Sequence, residues 1–91
     1  MDETEVIRVR YWAAARSAAG VAEEDVAVTG PLTLTELRSA VVARHPGGAF
    51  ADVVGVCSVL VGEQPVSSGD PGQVVVQPGD TVEFLPPFAG G

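Results

Sequence analysis

Lysine is absent from this chain of 91 residues, so all five of its basic side chains are arginines: Arg8, Arg10, Arg16, Arg38 and Arg44. That absence excludes Schiff-base chemistry on a lysine, a phosphate-loop lysine, and any side-chain amine able to accept an acyl group. Cysteine and histidine occur once each, as Cys57 and His45. One cysteine excludes an internal disulfide, one histidine excludes the usual zinc ligand clusters, and no metal site is expected. A chain so poor in cysteine is expected to work reduced, in the cytoplasm. Apolar runs never approach the roughly 20 residues that cross a bilayer. The first residues, Met1-Asp2-Glu3-Thr4-Glu5, are acidic where a secretory signal is basic. Neither export nor membrane insertion is therefore expected. Positive charge is scarce as well: twelve acidic residues leave a net charge of −7. Nucleic acid and anionic membranes bind through clustered positive charge, so a basic protein surface is the expected partner.

What is present suits one small domain with a single core. Eleven glycines and seven prolines predict many turns and short strands. From Glu5 the chain alternates, with Ile7, Val9 and Tyr11 on one face and Val6, Arg8, Arg10 and Trp12 on the other, which predicts a half-buried strand. Ala13 to Ala19 are strong helix formers stopped by Gly20. Val26 and Val28 alternate between the acidic cluster Glu23-Glu24-Asp25, read as a solvated turn, and the turn signal Gly30-Pro31. Thr33-Leu34-Thr35-Glu36 matches a capping box, and Leu34, Leu37 and Val41 recur at helical spacing before Pro46-Gly47-Gly48. A loop through Phe50 and Asp52 then leads to an apolar run from Val56 to Val61, read as a well-buried strand. Short extended pieces around Val66 and Val74 to Val76 follow, with a surface loop from Ser67 to Gly72 between them. After a tight turn at Pro78-Gly79-Asp80, a last strand from Thr81 to Leu85 points Val82 and Phe84 inward. Two helices among so many strands define an α+β class with a mixed sheet.

The last residues are Pro86-Pro87-Phe88-Ala89-Gly90-Gly91. They have almost no side chain to bury, and a flexible diglycine tail is expected. Terminal glycines are in many proteins merely tolerated. Here they also suit a reactive carboxylate, because residues without Cβ can be threaded down a narrow channel in a partner. Pro86 and Pro87 form a stiff extended stem. Ordering four tail residues costs on the order of 4–8 kcal/mol, and burying the Phe88 ring in a partner offsets roughly 1.5–3 kcal/mol of it.

The element order, the Gly79-Asp80-x-Val82 turn and the Pro86-Pro87-x-x-Gly90-Gly91 ending together resemble the sulfur-carrying small subunits of molybdopterin synthase, among the ubiquitin-like sulfur carriers. The likeness spans essentially the whole chain, although the stretch from Ser68 to Val75 is longer than the usual connection in that family. It implies a β-grasp domain over residues 1–85, with a mixed sheet and two helices, and a reactive tail over residues 86–91. It also implies that Gly91 is adenylated by a ubiquitin-activating-like adenylyltransferase using ATP. A sulfur donor protein then converts Gly91 to a thiocarboxylate, and the large synthase subunit takes up the tail by threading Pro86, Pro87, Phe88, Ala89 and Gly90. Sulfur passes to cyclic pyranopterin monophosphate. No cofactor is expected to bind this chain itself, and its role is that of a sulfur donor whose catalytic groups lie on the partner. Three alternatives stay open: a carrier for cysteine, thiamine or tRNA thiolation, a protein modifier joined to target lysines, and a binding module with an inert tail.

Trp12 and Leu85 fall on the non-core faces of the first and last strands, adjacent and parallel in a β-grasp sheet, and are expected to form a partner-docking patch by the stem. Arg8 and Arg10 share that face with Glu83 and suit exposed ion pairs. Cys57 is expected to be structural, inside an apolar strand with no basic neighbour, and His45 to be a helix cap with no carboxylate partner.

Overall fold

The alternation along Glu5–Tyr11 makes strand β1, which buries Ile7, Val9 and Tyr11 and leaves Arg8 exposed on the other face. The computed structural model of the chain describes residues 5–66 and 70–87. Beyond β1 the elements are α1 (Ala13–Ala19), β2 (Glu23–Val28), β3 (Leu32–Thr33), α2 (Leu34–Arg44), α3 (Ala49–Gly55), β4 (Ser58–Val61), β5 (Gln64–Pro65), a 3-10 turn (Pro71–Gln73), β6 (Val75–Val76) and β7 (Thr81–Leu85). Five strands form one sheet in the order β2-β1-β7-β4-β5, while β3 and β6 pair separately. Within the larger sheet β1 and β7 run parallel and the other pairs are antiparallel. This mixed sheet with helices on one side is a β-grasp fold.

Local chemistry explains the helices. Gly20 ends α1 in the left-handed region, at φ 81°, and donates its N–H to the Arg16 carbonyl. The predicted capping box opens α2: the Glu36 N–H donates to Thr33 Oγ1 at 3.1 Å, and the Thr33 N–H donates to Glu36 Oε1 at 2.9 Å. Leu34, Leu37 and Val41 of α2 join Phe50 and Val54 of α3 against the buried face of the sheet, where Phe84 and Tyr11 are the largest side chains. Each such side chain stabilises the fold by roughly 1.5–3 kcal/mol. The opposite face of the sheet carries Arg8, Arg10, Glu83, Leu85 and Ser58, and among the described residues the helices contribute their buried side chains to the other face.

Several expectations need correction. The segment around Phe50 and Asp52 is a helix, α3, so the described residues contain three α-helices, not two. Phe50 and Val54 sit four apart and bury one stripe, which stabilises a helix too short to stand alone. Because the N–H groups of Val56 and Cys57 cap α3, the strand after it begins only at Ser58. Val56 is 65% exposed and Cys57 lies outside the strand. The acidic cluster is no solvated turn: it starts β2, where Glu24 shares the inward parity of Val26 and lies half-buried. Of the surface loop, Ser67, Ser68 and Gly69 lie outside the described residues, and Pro71–Gln73 forms the 3-10 turn.

Candidate functional site

Parallel pairing of the two central strands places the tail's foot. Tyr11 pairs with Phe84, and the Trp12 N–H continues the ladder by donating to the Phe84 carbonyl at 3.2 Å. Residues leaving β1 and β7 therefore emerge side by side. There they line an apolar groove of about 630 Å³, walled by Trp12, Ala13, Ala14, Ser58, Leu85, Pro86 and Pro87. Trp12, Leu85, Pro86 and Pro87 are thus brought together. Phe88, Ala89, Gly90 and Gly91 lie outside the described residues.

The groove's wall is polar only at its rim. Trp12 is 41% exposed, and its Nε1–H donates to Glu83 Oε1 at 2.9 Å. The Arg10 guanidinium lies 5.0 Å from the indole centre, within cation–π range. Arg10 also pairs with Glu83 at 3.8 Å and with Glu23 at 3.5 Å. Arg8 pairs with Asp25 across β1 and β2. Such exposed pairs are worth about 0–1 kcal/mol each. Among the described residues that line the groove, Ser58 is the one with a side-chain hydroxyl and the rest are apolar, so the surface suits apolar contact. Among the described residues no group of three or more His, Cys, Asp or Glu side chains is placed to hold a metal ion.

Beneath the sheet, one carboxylate ties three elements together. Glu24 Oε2 accepts from the Tyr11 hydroxyl at 2.5 Å and lies 2.6 Å from His45 Nε2, while Glu24 Oε1 accepts from Arg44 at 3.1 Å. His45 therefore does have a carboxylate partner. Burial pushes the Glu24 carboxyl upward, but the bonds from Tyr11, His45 and Arg44 outweigh it and leave it below the ordinary range. For Tyr11, burial and then Glu24 raise the phenol well above its usual value. Cys57 is half-buried and its thiol donates to the Val53 carbonyl at 3.2 Å. Burial raises its pKa and nearby Arg38 partly opposes the rise, so a basic neighbour exists but does not activate the sulfur.

Sequence reasoning missed Ala13, Ala14 and Ser58 in the groove, the Trp12–Glu83 bond, and the role of Glu24. The inward parity of Glu24 with Val26 was the available signal for the last. Contacts between the ends of three different elements leave no such periodic trace.

Fold and groove together define a ubiquitin-like β-grasp protein whose last strand delivers a proline stem beside an apolar wall. The model of the ThiS family matches residues 9–91, and the chain belongs to that family. It is 33% identical to the human molybdopterin synthase sulfur carrier subunit over 85 residues, covering 93% of each chain. In three dimensions it is similar to the Haloferax volcanii HVO 2177 protein, with a TM-score of 0.77 at 23% identity, over 100% of this chain and 92% of that one. It is also similar to a chain in the complex of subunits 1 and 2 of the molybdopterin-converting factor from Helicobacter pylori. There the TM-score is 0.62 at 21% identity, over 94% of this chain and 99% of the other.

Proposed function

We propose that this chain is a sulfur carrier of molybdenum cofactor biosynthesis, with the Gly91 carboxylate as its reactive group. The observation that carries the reading is the match to a molybdopterin synthase sulfur carrier subunit along 93% of both chains. A family match that continues through Gly90 and Gly91 supports it. A carboxylate oxygen is a poor leaving group, so the Gly91 oxygen first attacks the α-phosphorus of ATP on an adenylyltransferase, releasing pyrophosphate. Hydrosulfide supplied by a donor protein then attacks the acyl carbon, and AMP departs with the electron pair of the broken C–O bond, leaving the thiocarboxylic acid, which loses its proton. The terminal thiocarboxylate is a soft nucleophile that passes sulfur to cyclic pyranopterin monophosphate, and water returns Gly91 to a carboxylate.

This chain's residues present the tail. Two prolines after β7 aim it away from the sheet at small entropic cost, and glycines allow it to enter a narrow channel. Acid and base groups belong to the partner, the large synthase subunit, which docks on Trp12 and Leu85. Intact-mass measurement after incubation with the adenylyltransferase, ATP and a sulfur source should show one oxygen replaced by sulfur. Deleting Gly90-Gly91 should abolish that change and all transfer. Transfer that survives the deletion would overturn the mechanism, and failure to bind the large subunit would redirect the carrier to another thiolation pathway.

A further inference from the structure

Trp12 is an exposed apolar residue held with unusual thoroughness. Its N–H donates to Phe84, its carbonyl accepts from Ala15 at 2.9 Å and Arg16 at 3.3 Å, and its indole N–H donates to Glu83. Arg10 covers the ring and contacts the same Glu83 oxygen. The next residue, Ala13, has φ 49° and is the one non-glycine with positive φ among the described residues. Backbone in that region is disfavoured for any residue with a Cβ, and such outliers persist only where their surroundings enforce them. Here the enforcing contacts are those on Trp12, and the left-handed step turns the chain from strand to helix directly behind the indole.

We infer that Glu83 and Arg10 are positioning residues, which preset the Trp12 indole as a rigid wall of the groove before any partner arrives, and that the left-handed Ala13 is the backbone consequence of that hold. Pro86 and Pro87 form the neighbouring wall, so a protein that grips the residues after Pro87 must also cover the groove. Its apolar side chain meets an indole that is already ordered, and docking then avoids the entropic cost of fixing that ring. Glu83 and Arg10 act through Trp12 and take no part in sulfur chemistry. The identity of the docking protein, the large synthase subunit, rests on the sulfur-carrier reading above, whereas the preset indole does not.

The test exploits Trp12 as the chain's single tryptophan. Fluorescence anisotropy of the free protein reports how firmly the ring is held, and titration with the large synthase subunit reports capture. Glu83→Ala should lower the anisotropy and weaken capture roughly three- to tenfold, the range set by ordering one side chain. Turnover at saturating large subunit should stay unchanged, so the loss appears in KM and not in kcat. Glu83→Gln retains an oxygen that accepts the indole N–H and should restore most of both readouts. Ala13→Gly keeps the left-handed step and relieves its strain, so it should leave both the anisotropy and capture unchanged. Should Glu83→Ala fail to fold, Trp12→Phe, which keeps an aromatic wall but has no N–H, should weaken capture to a similar degree. Wild-type anisotropy and wild-type capture in Glu83→Ala would overturn the inference. A wild-type chain that never acquires sulfur would instead defeat the functional reading, while the anisotropy of the free variants would still decide whether the indole is preset.

Discussion

Replacing Glu24 with alanine removes the partner of three side chains at once: Tyr11, His45 and Arg44. Tyr11 is 2% exposed, and a buried donor left unpaired costs about 1–3 kcal/mol. Arg44 is 40% exposed at its side chain and regains water, so its pair contributes only about 0–1 kcal/mol. The His45 contact, with both side chains 17% exposed, falls between these cases. The expected loss is therefore on the order of 2–4 kcal/mol, a large part of the 5–15 kcal/mol available to a domain of this kind. Urea unfolding measures it as a lower midpoint at unchanged slope. Tyr11→Phe removes the hydroxyl itself, so Glu24→Ala should cost about 1–2 kcal/mol less on that background. Losses that add within about 0.5 kcal/mol would refute the reasoning, because the orphaned hydroxyl would then carry no penalty.

The same cluster sets the response to pH. Glu24 titrates lower in the folded chain than in the unfolded one, so its contribution is complete above about pH 4.5 and fades as pH falls through the folded value, which acid titration of the urea midpoint will show. Tyr11 has the opposite sense: above about pH 10 the unfolded chain ionises it while the folded chain keeps the proton, so stability should decline with rising pH, and Tyr11→Phe should flatten that decline. Thr33→Ala deletes the acceptor for the Glu36 N–H and should lower stability by about 1 kcal/mol in the same urea assay. Cys57 should react slowly with iodoacetamide at neutral pH until the chain is unfolded in urea. Rapid alkylation of the folded protein would contradict the burial argument.

Much of the fold was legible because its signals are local. Alternation in β1 and β7, the Thr33–Glu36 capping box and the stop at Gly20 each depend on residues within one turn or strand. The α3 helix was harder to read, since seven residues between Gly48 and Val56 owe their helicity to Phe50 and Val54 packing on the core. His45 lies 21 residues from Glu24 in the chain, so nothing near it announces its carboxylate partner.

By itself, the sequence determined the chemistry this protein has at hand: no lysine to act or to accept, one cysteine, an acidic balance, and a proline stem running into two glycines. Those are properties of residue identity and short-range order, which need no partner to be expressed. Only the tertiary structure decided where the stem begins, beside which indole, and how that indole is held. Trp12 and Glu83 are 71 residues apart and meet because β1 and β7 pair in parallel at the centre of the sheet. A contact of that kind is a product of strand register, and register is set by burying one whole face of the sheet at once.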